Sequence, residues 1–218
     1  MNNFLLKVTD VAKAFSHGKN IFANIDLEVS NGDVIAVTGH NGSGKTTLLK
    51  ILAGVVKPTK GKINFEIEGR IIDTELYFEH IGYVAPYLNL YEEFTPMEHL
   101  KIFYMIRGRK FDNEKSATYL KYFNLFRKRD DPIRTYSSGM KQRFKYVLAL
   151  QNDFELLFLD EPMTNLDIEG CDAVMKIIEE HKNKNCGIII ATNEERDKSV
   201  CSKIITLGNQ NKNNLNYK

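Results

Sequence analysis

The run Gly39-His40-Asn41-Gly42-Ser43-Gly44-Lys45-Thr46-Thr47 sets three glycines, a lysine and two threonines in the order G-x-x-x-x-G-K-T. Glycine lets the backbone turn sharply and approach a ligand closely, so that successive N–H groups can wrap a polyphosphate. In that arrangement Lys45 reaches the β- and γ-phosphates and Thr46 offers its hydroxyl to Mg2+, while His40, Asn41, Ser43 and Thr47 border the phosphates. The plainer alternative is a Gly-rich turn that contains a lysine. The flanks favour the first reading: Val34 to Thr38 is an apolar strand-like run, and Leu48 to Leu52 continues as helix. The loop then opens a helix N-terminus, where free amides and the helix dipole attract an anion.

A second constellation is Leu156-Leu157-Phe158-Leu159-Asp160-Glu161-Pro162, an apolar strand that ends in adjacent carboxylates. A carboxylate at a buried strand end needs a partner, and Mg2+ on a bound nucleotide supplies one. Asp160 suits organisation of the metal through water. Glu161, one residue further into the loop, suits a general base or water-positioning role. Acidic residues after strands are common, so the pair gains its force from the phosphate-binding loop in the same chain.

The elements that must position these residues read as an α/β chain. Phe4 to Thr9, Ile25 to Val29 and Val34 to Thr38 are strand-like, divided at Asn31-Gly32-Asp33, a turn signal. Lys45 to about Ala53 reads as helix, Lys62 to Ile67 and Gly69 to Ile72 as a hairpin across Glu68-Gly69, and Ile81 to Ala85 as a strand closed by Pro86. From Thr95 the period becomes helical. Thr95-Pro96-Met97-Glu98 combines an N-cap hydroxyl, proline at the first helical position and glutamate three residues after the cap. That helix should run to about Ile106, with another over Asn113 to Asn124. A helical subdomain over about 90–150 is thus inserted between two α/β portions. Its Tyr and Phe residues read either as core or as a docking face. Leu156 to Leu159 and Gly187 to Ala191 read as buried parallel strands joined by a helix over Ile168 to Glu180, and residues 209–218, rich in Asn and Lys, as a frayed polar tail.

The whole chain sets bounds. Its 218 residues fit one domain with a small insertion, not two nucleotide-binding domains. Thirty Lys and Arg against 28 Asp and Glu leave a formal charge of +2, so no global field points to nucleic acid. Cys171, Cys186 and Cys201 lack metal-ligand spacing and suit a reducing compartment. No apolar stretch reaches the roughly 18 residues that span a bilayer, and the N-terminus lacks the apolar segment of a secretion signal. The expectation is a cytosolic chain whose membrane role comes through a partner.

The order of motifs over residues 4–208 resembles the ATP-binding-cassette (ABC) ATPase domain. The resemblance implies a P-loop NTPase fold with an antiparallel β subdomain and a helical subdomain inserted in the core, one domain over 1–208. It implies ATP and Mg2+ as ligands, and Lys45 and Glu161 as the residues that carry hydrolysis. Tyr136-Ser137-Ser138-Gly139-Met140-Lys141-Gln142-Arg143 looks like the family signature ahead of a helix, in a form seen in exporter-type subunits; alone, it reads as an N-cap and turn. By resemblance, Ser137, Ser138, Gly139 and Met140 face the ATP of an opposite subunit, and Asp167 of Thr164-Asn165-Leu166-Asp167 lies in a loop that crosses the dimer interface. Phe15 falls where an aromatic ring stacks on adenine; its other reading is a core phenylalanine.

Two positions depart from the family pattern. The glutamine expected after Ile81-Gly82-Tyr83-Val84 is replaced by Pro86, and the histidine expected after Ile188-Ile189-Ile190-Ala191-Thr192 is Asn193. An asparagine can hydrogen-bond a phosphate oxygen but cannot carry the imidazolium charge. Either turnover is slow, or Glu161 positions the water. The resemblance also implies a second ABC subunit, homotypic or heterotypic, and a transmembrane permease docked near residues 87–110, placing the chain peripherally on the cytoplasmic face of the membrane. The rival readings are a soluble cassette that regulates a non-transporter complex and an ATP-binding subunit with weak hydrolysis.

Overall fold

A computed structural model describes residues 2–14, 20–208 and 215–217 of the chain, the last three by backbone alone. In chain order the elements are β1 (Phe4–Ala14), β2 (Asn20–Ser30), β3 (Val34–Thr38), α1 (Lys45–Leu52), β4 (Lys60–Ile67), β5 (Arg70–Ile71), α2 (Tyr77–His80) and β6 (Ile81–Val84). They continue with α3 (Pro96–Ile106), α4 (Asn113–Tyr122), α5 (Ser138–Ala149), β7 (Leu156–Asp160), α6 (Ile168–Asn183), β8 (Gly187–Ala191), α7 (Glu195–Lys198), β9 (Lys203–Thr206) and β10 (Leu215–Tyr217). These elements form two compact units, one of residues 1–83, 153–162 and 178–218, the other of residues 84–152 and 163–177.

The first unit holds two sheets. One is antiparallel in the order β2-β1-β4-β5, and the other runs β10-β9-β3-β8-β7-β6. In β1 the side chains of Phe4, Leu6 and Val8 are buried while Lys7 and Thr9 are exposed, the period of two that a one-sided strand requires. By contrast β3, β7 and β8 are buried at every position, as strands covered on both faces must be. The turn between β2 and β3 is tied down by Asp33, whose Oδ2 accepts from Ser30 N (2.9 Å) and Ser30 Oγ (3.0 Å) and from Lys203 Nζ at 3.1 Å. A single apolar core joins both sheets to α1: Leu6, Val29, Ile35, Leu48, Leu49, Phe65, Phe158 and Ile189 are all effectively inaccessible. Phe65 lies edge-on to Phe4 and to Tyr77, with ring centroids 6.1 and 5.3 Å apart.

The second unit is mostly helical. Thr95 caps α3 with the reciprocal arrangement its sequence requires: Glu98 N donates to Thr95 Oγ1 (3.2 Å) and Thr95 N to Glu98 Oε2 (2.8 Å). Asp112 caps α4 through Lys115 N at 2.9 Å, and Ser137 caps α5 through Met140 N at 3.2 Å. Tyr104, Leu120, Phe123, Phe144 and Tyr146 fill the interior, with Phe123 stacked on Tyr146. Gln151 Oε1 accepts from both Tyr104 Oη (3.1 Å) and Ser116 Oγ (2.9 Å), which satisfies three buried polar groups at once. The aromatic residues of this region divide: Tyr104 and Phe123 are core, whereas Tyr91 is 71% exposed, with Tyr87 and Phe94 also on the surface.

The strands differ from the sequence expectation in extent. β1 and β2 run longer than their apolar stretches because pairing continues through irregular register after Val8. β9 pairs parallel with β3, and the backbone of Leu215–Tyr217 pairs antiparallel with β9, where a frayed tail was expected. Asn- and Lys-rich composition masks that strand, since edge pairing supplies its hydrogen bonds. Residues 209–214 and 218, and Phe15, lie outside the described residues.

Truncating Phe65 to alanine removes a fully buried ring that packs on both Phe4 and Tyr77. Urea unfolding of Phe65→Ala should show a loss of about 3–5 kcal/mol.

Candidate functional site

Three loops converge because three strands run parallel. β3 pairs with β8 and β8 with β7, so the chain leaves all three strands at one sheet edge, where ligands of open α/β sheets bind. The phosphate-binding loop follows β3, Asp160 and Glu161 end β7, and Thr192 and Asn193 follow β8. Backbone bonds fix their relative height: Glu161 N donates to Ala191 O (2.9 Å) and Thr192 N to Val37 O (3.0 Å).

Within the loop, Gly39, Gly42 and Gly44 all have positive φ, at 145°, 82° and 99°. Space forbids side chains at two of them. A Cβ on Gly39 would stand 2.6 Å from Ser43 Oγ and 2.7 Å from Leu207 O, and one on Gly44 would stand 2.5 Å from Ile21 Cγ2 and 2.9 Å from the Phe22 ring. The loop closes on itself through Ser43 N to His40 O (3.0 Å), and α1 begins with Leu48 N to Gly44 O (2.8 Å). The Lys45 ammonium lies inside this turn, 7% exposed, donating to Gly39 O (2.8 Å) and His40 O (3.4 Å). Ser43 Oγ is buried with no hydrogen-bond partner among the described residues, a donor held ready for an anion. His40, Asn41 and Gly42 are exposed at the loop tip, and Thr46 and Thr47 are half-buried in the first turn of α1.

At the end of β7, Asp160 is 2% exposed and Glu161 is exposed, so two neighbouring carboxylates meet different solvent environments. Glu161 has a φ of 44°, a left-handed conformation uncommon for a residue with a side chain and concentrated at functional sites. Asn193 Oδ1 accepts from Gly39 N at 3.2 Å, which joins the third loop to the first glycine of the phosphate-binding loop. Thr46 and Asp160 supply a hydroxyl and a buried carboxylate, hard oxygen donors of the kind Mg2+ takes.

Ser137, Ser138, Gly139, Met140, Asp167 and Pro86 belong to the second unit. Ser137 and Ser138 are exposed where α5 begins, and a Cβ on Gly139 would stand 2.9 Å from Asn165 O, so the start of α5 abuts the 164–167 loop. Asp167 opens α6: its Oδ1 accepts from Arg143 Nη2 and from Gly170 N (2.9 Å). The hydrogen bond from the Arg143 guanidinium, followed by that of Gly170 N–H, holds this carboxyl below the usual aspartate range.

Beside Pro86 stands a residue that sequence reasoning passed over. Lys145, on α5 and 8% exposed, donates its ammonium to the Pro86 carbonyl. Burial, with a smaller contribution from Lys141, pushes its pKa below the ordinary lysine value. Nothing local in the sequence marks it, because a lysine in a helix is ordinary until its partner is known.

These features are matched among known proteins. The ABC transporter family profile matches residues 22–164. LolD of Buchnera aphidicola, a lipoprotein-releasing system ATP-binding protein, is 31% identical over 211 residues, covering 89% of this chain and 90% of its own. ABC transporter A family member 7 of Dictyostelium discoideum is 31% identical over 196 residues; the alignment takes in 89% of this chain and only 23% of that much longer relative. A solved ATP binding subunit of an ABC transporter superposes with a TM-score of 0.84 at 27% identity, over 98% of this chain and 90% of the other. The chain belongs to the ABC transporter family. Within that family it is the ATP-binding cassette, a P-loop ATPase domain.

Two outcomes follow from this geometry. Gly44→Ala forces a side chain at positive φ into Ile21 and Phe22; binding of a fluorescent ATP analogue should fall by tenfold or more, roughly the factor set by 1–3 kcal/mol of backbone strain. For Lys145, a pKa lowered on folding means that the unfolded chain binds more protons, so stability rises with pH between the lowered value and 10.5. Thermal melts of wild type and Lys145→Met should therefore show the wild type gaining on the variant as pH climbs towards 10.5.

Proposed function

We propose that this chain is the ATP-hydrolysing subunit of a membrane exporter, working as one of two cassettes that close head to tail on ATP. The observation that carries this reading is the phosphate-binding loop, whose positive-φ glycines, buried Lys45 ammonium and unpartnered Ser43 hydroxyl form an anion cradle at the N-terminus of α1. Lys45 binds the β- and γ-phosphates. The loop from Gly39 to Thr47 wraps them with backbone N–H groups, and Thr46 with Asp160 would hold Mg2+, Asp160 by way of water. Bound there, Mg2+ supplies neutralisation of the charge that gathers on the terminal phosphates.

Hydrolysis is phosphoryl transfer to water, driven by positioning and electrostatics. Glu161 accepts a proton from the water as its oxygen bonds to the γ-phosphorus. The bond to the β–γ bridging oxygen breaks, leaving ADP and phosphate. Asn193 is uncharged, so water positioning rests mainly on Glu161. Ser137, Ser138, Gly139 and Met140 face the ATP of the opposite cassette, with the N-terminus of α5 favouring its charge, and Asp167 stands at the contact between the two subunits. Closure on ATP and reopening after hydrolysis form a two-state element that drives a permease.

The membrane partner docks on the exposed apolar residues of the second unit. Tyr91, Met105 and Ile106 are each at least 70% exposed, with Tyr87, Leu88 and Phe94 on the same chain segments. No helix among the described residues is long and apolar enough to cross a membrane. In this reading the partner provides attachment at the cytoplasmic face. The export direction is supported by the Tyr136-Ser137-Ser138-Gly139-Met140 form of the signature and by the releasing function that the name of the Buchnera relative states.

Glu161→Gln should lower ATP turnover by about 10²- to 10⁴-fold while leaving ATP affinity near wild type and trapping a dimer; unchanged turnover would overturn the role of Glu161. Purification from native membranes should bring down a protein with several apolar spans, and stable association with ribosomes instead would sink the exporter reading.

A further inference from the structure

Behind Asn193 lies a buried acid that no step above uses. Asp197, in α7, is 1% exposed. Its Oδ2 accepts from the Thr192 hydroxyl at 2.5 Å, and the same hydroxyl oxygen accepts from Glu194 N at 3.0 Å. The direction of both bonds is settled, because the backbone N–H can only donate and the single hydroxyl proton is left for the carboxylate. Thr192 is also held from the sheet side, through its own N–H to Val37 O. Asn193 is therefore the middle residue of a turn pinned at both neighbours. Its side-chain oxygen accepts from Gly39 N.

Packing alone does not account for Asp197. Its Oδ1 has no hydrogen-bond partner among the described residues, and burial raises its pKa, the mark of a carboxylate kept at a cost. Lys198 pairs with Glu195 at 2.8 Å, and the Cys201 thiol donates to the Asp197 backbone carbonyl rather than to the carboxylate; of the neighbouring charges, Glu194 disfavours the ionised form and Arg196 favours it, and burial outweighs both. What the carboxylate does satisfy is the one hydroxyl that shapes the 192–194 turn.

We propose that Asp197 is a positioning residue that acts through Thr192 to hold the Asn193 side-chain oxygen on the Gly39 amide. The consequence is a fixed polarity. With Oδ1 engaged, the end of Asn193 left over is its NH2 group, a donor, which suits a phosphate oxygen; a flipped amide would present an oxygen to an anion. Its effect on turnover rests on the ATPase reading above, whereas its effect on the loop does not.

The test uses the full chain, with amide hydrogen exchange at Gly39 read by NMR alongside steady-state ATP hydrolysis. Thr192→Val, which keeps the side-chain shape, and Asp197→Leu should each speed Gly39 exchange about as much as Asn193→Ala does, by roughly tenfold, the scale of one lost hydrogen bond. Each should lower kcat by a similar factor with KM within about twofold. Asp197→Asn, whose amide oxygen can still accept from Thr192, should recover both readouts, and Asp197→Leu combined with Asn193→Ala should be no worse than either alone. Gly39 exchange at the wild-type rate in Thr192→Val, or additive losses in the double variant, would overturn the proposal. A wild type that binds ATP without turnover would instead overturn the hydrolysis reading, and Gly39 exchange would still decide the role of Asp197.

Discussion

An anion has to be gripped by backbone amides, and amides grip only where the backbone that carries them cannot move. The rest of the first unit follows from that constraint. β3 is buried along its whole length and hydrogen-bonded on both sides, to β8 and β9, so the point at which Gly39 leaves the sheet is fixed in three dimensions. α1 then packs Leu48, Leu49, Ile51 and Leu52 into the same core, which fixes the direction of its dipole. Between these anchors the chain must reverse within six residues, and only glycine tolerates the required φ and the closeness of Ser43, Leu207, Ile21 and Phe22. The antiparallel sheet has a part in this as well, because Ile21 and Phe22 of β2 form the wall against which Gly44 sits.

Parallel pairing extends the same logic to Asp160 and Glu161. Asp160 and Ala191 stand in register across β7 and β8, and Val37 stands opposite Ala191 across β3 and β8. Residues more than 120 positions apart in sequence therefore reach one edge without any loop having to search for it. The left-handed φ at Glu161 breaks the strand at that edge and carries its side chain into solvent while Asp160 stays inside. One dihedral angle thus gives neighbouring carboxylates opposite environments, which is how similar groups come to have dissimilar tasks.

What the sequence disclosed was local, and what it hid was not. Glycine spacing, the apolar run Leu156 to Asp160 and the Thr95 to Glu98 capping box are each written within a few residues, and each is found where those residues place it. β9 and β10 were missed because Lys203–Thr206 is short and Leu215–Tyr217 sits in polar composition; both take their stability from pairing with a strand elsewhere. Lys145 and Asp197 were missed for the same reason. A lysine in a helix and an aspartate after a strand are ordinary residues in one dimension. Only the partners, Pro86 at a separation of 59 residues and the pinned turn that ends on Gly39, make them unusual.

Those two residues bear on the two departures from the family pattern. Position 86 carries no side-chain amide, yet its carbonyl receives an ammonium from Lys145; position 193 carries no imidazole, yet its amide is oriented by a network that ends on a buried carboxylate. At each place a neutral residue is held by an ionisable one behind it. Burial disfavours the charged form of both, lowering the Lys145 pKa and raising that of Asp197, so neither is retained for cheap packing. A carbonyl held by an ammonium and a hydroxyl held by a carboxylate each lose one rotational choice. Each is thus a dipole fixed in place before any ligand arrives, the kind of arrangement that needs least rearrangement when charge develops beside it.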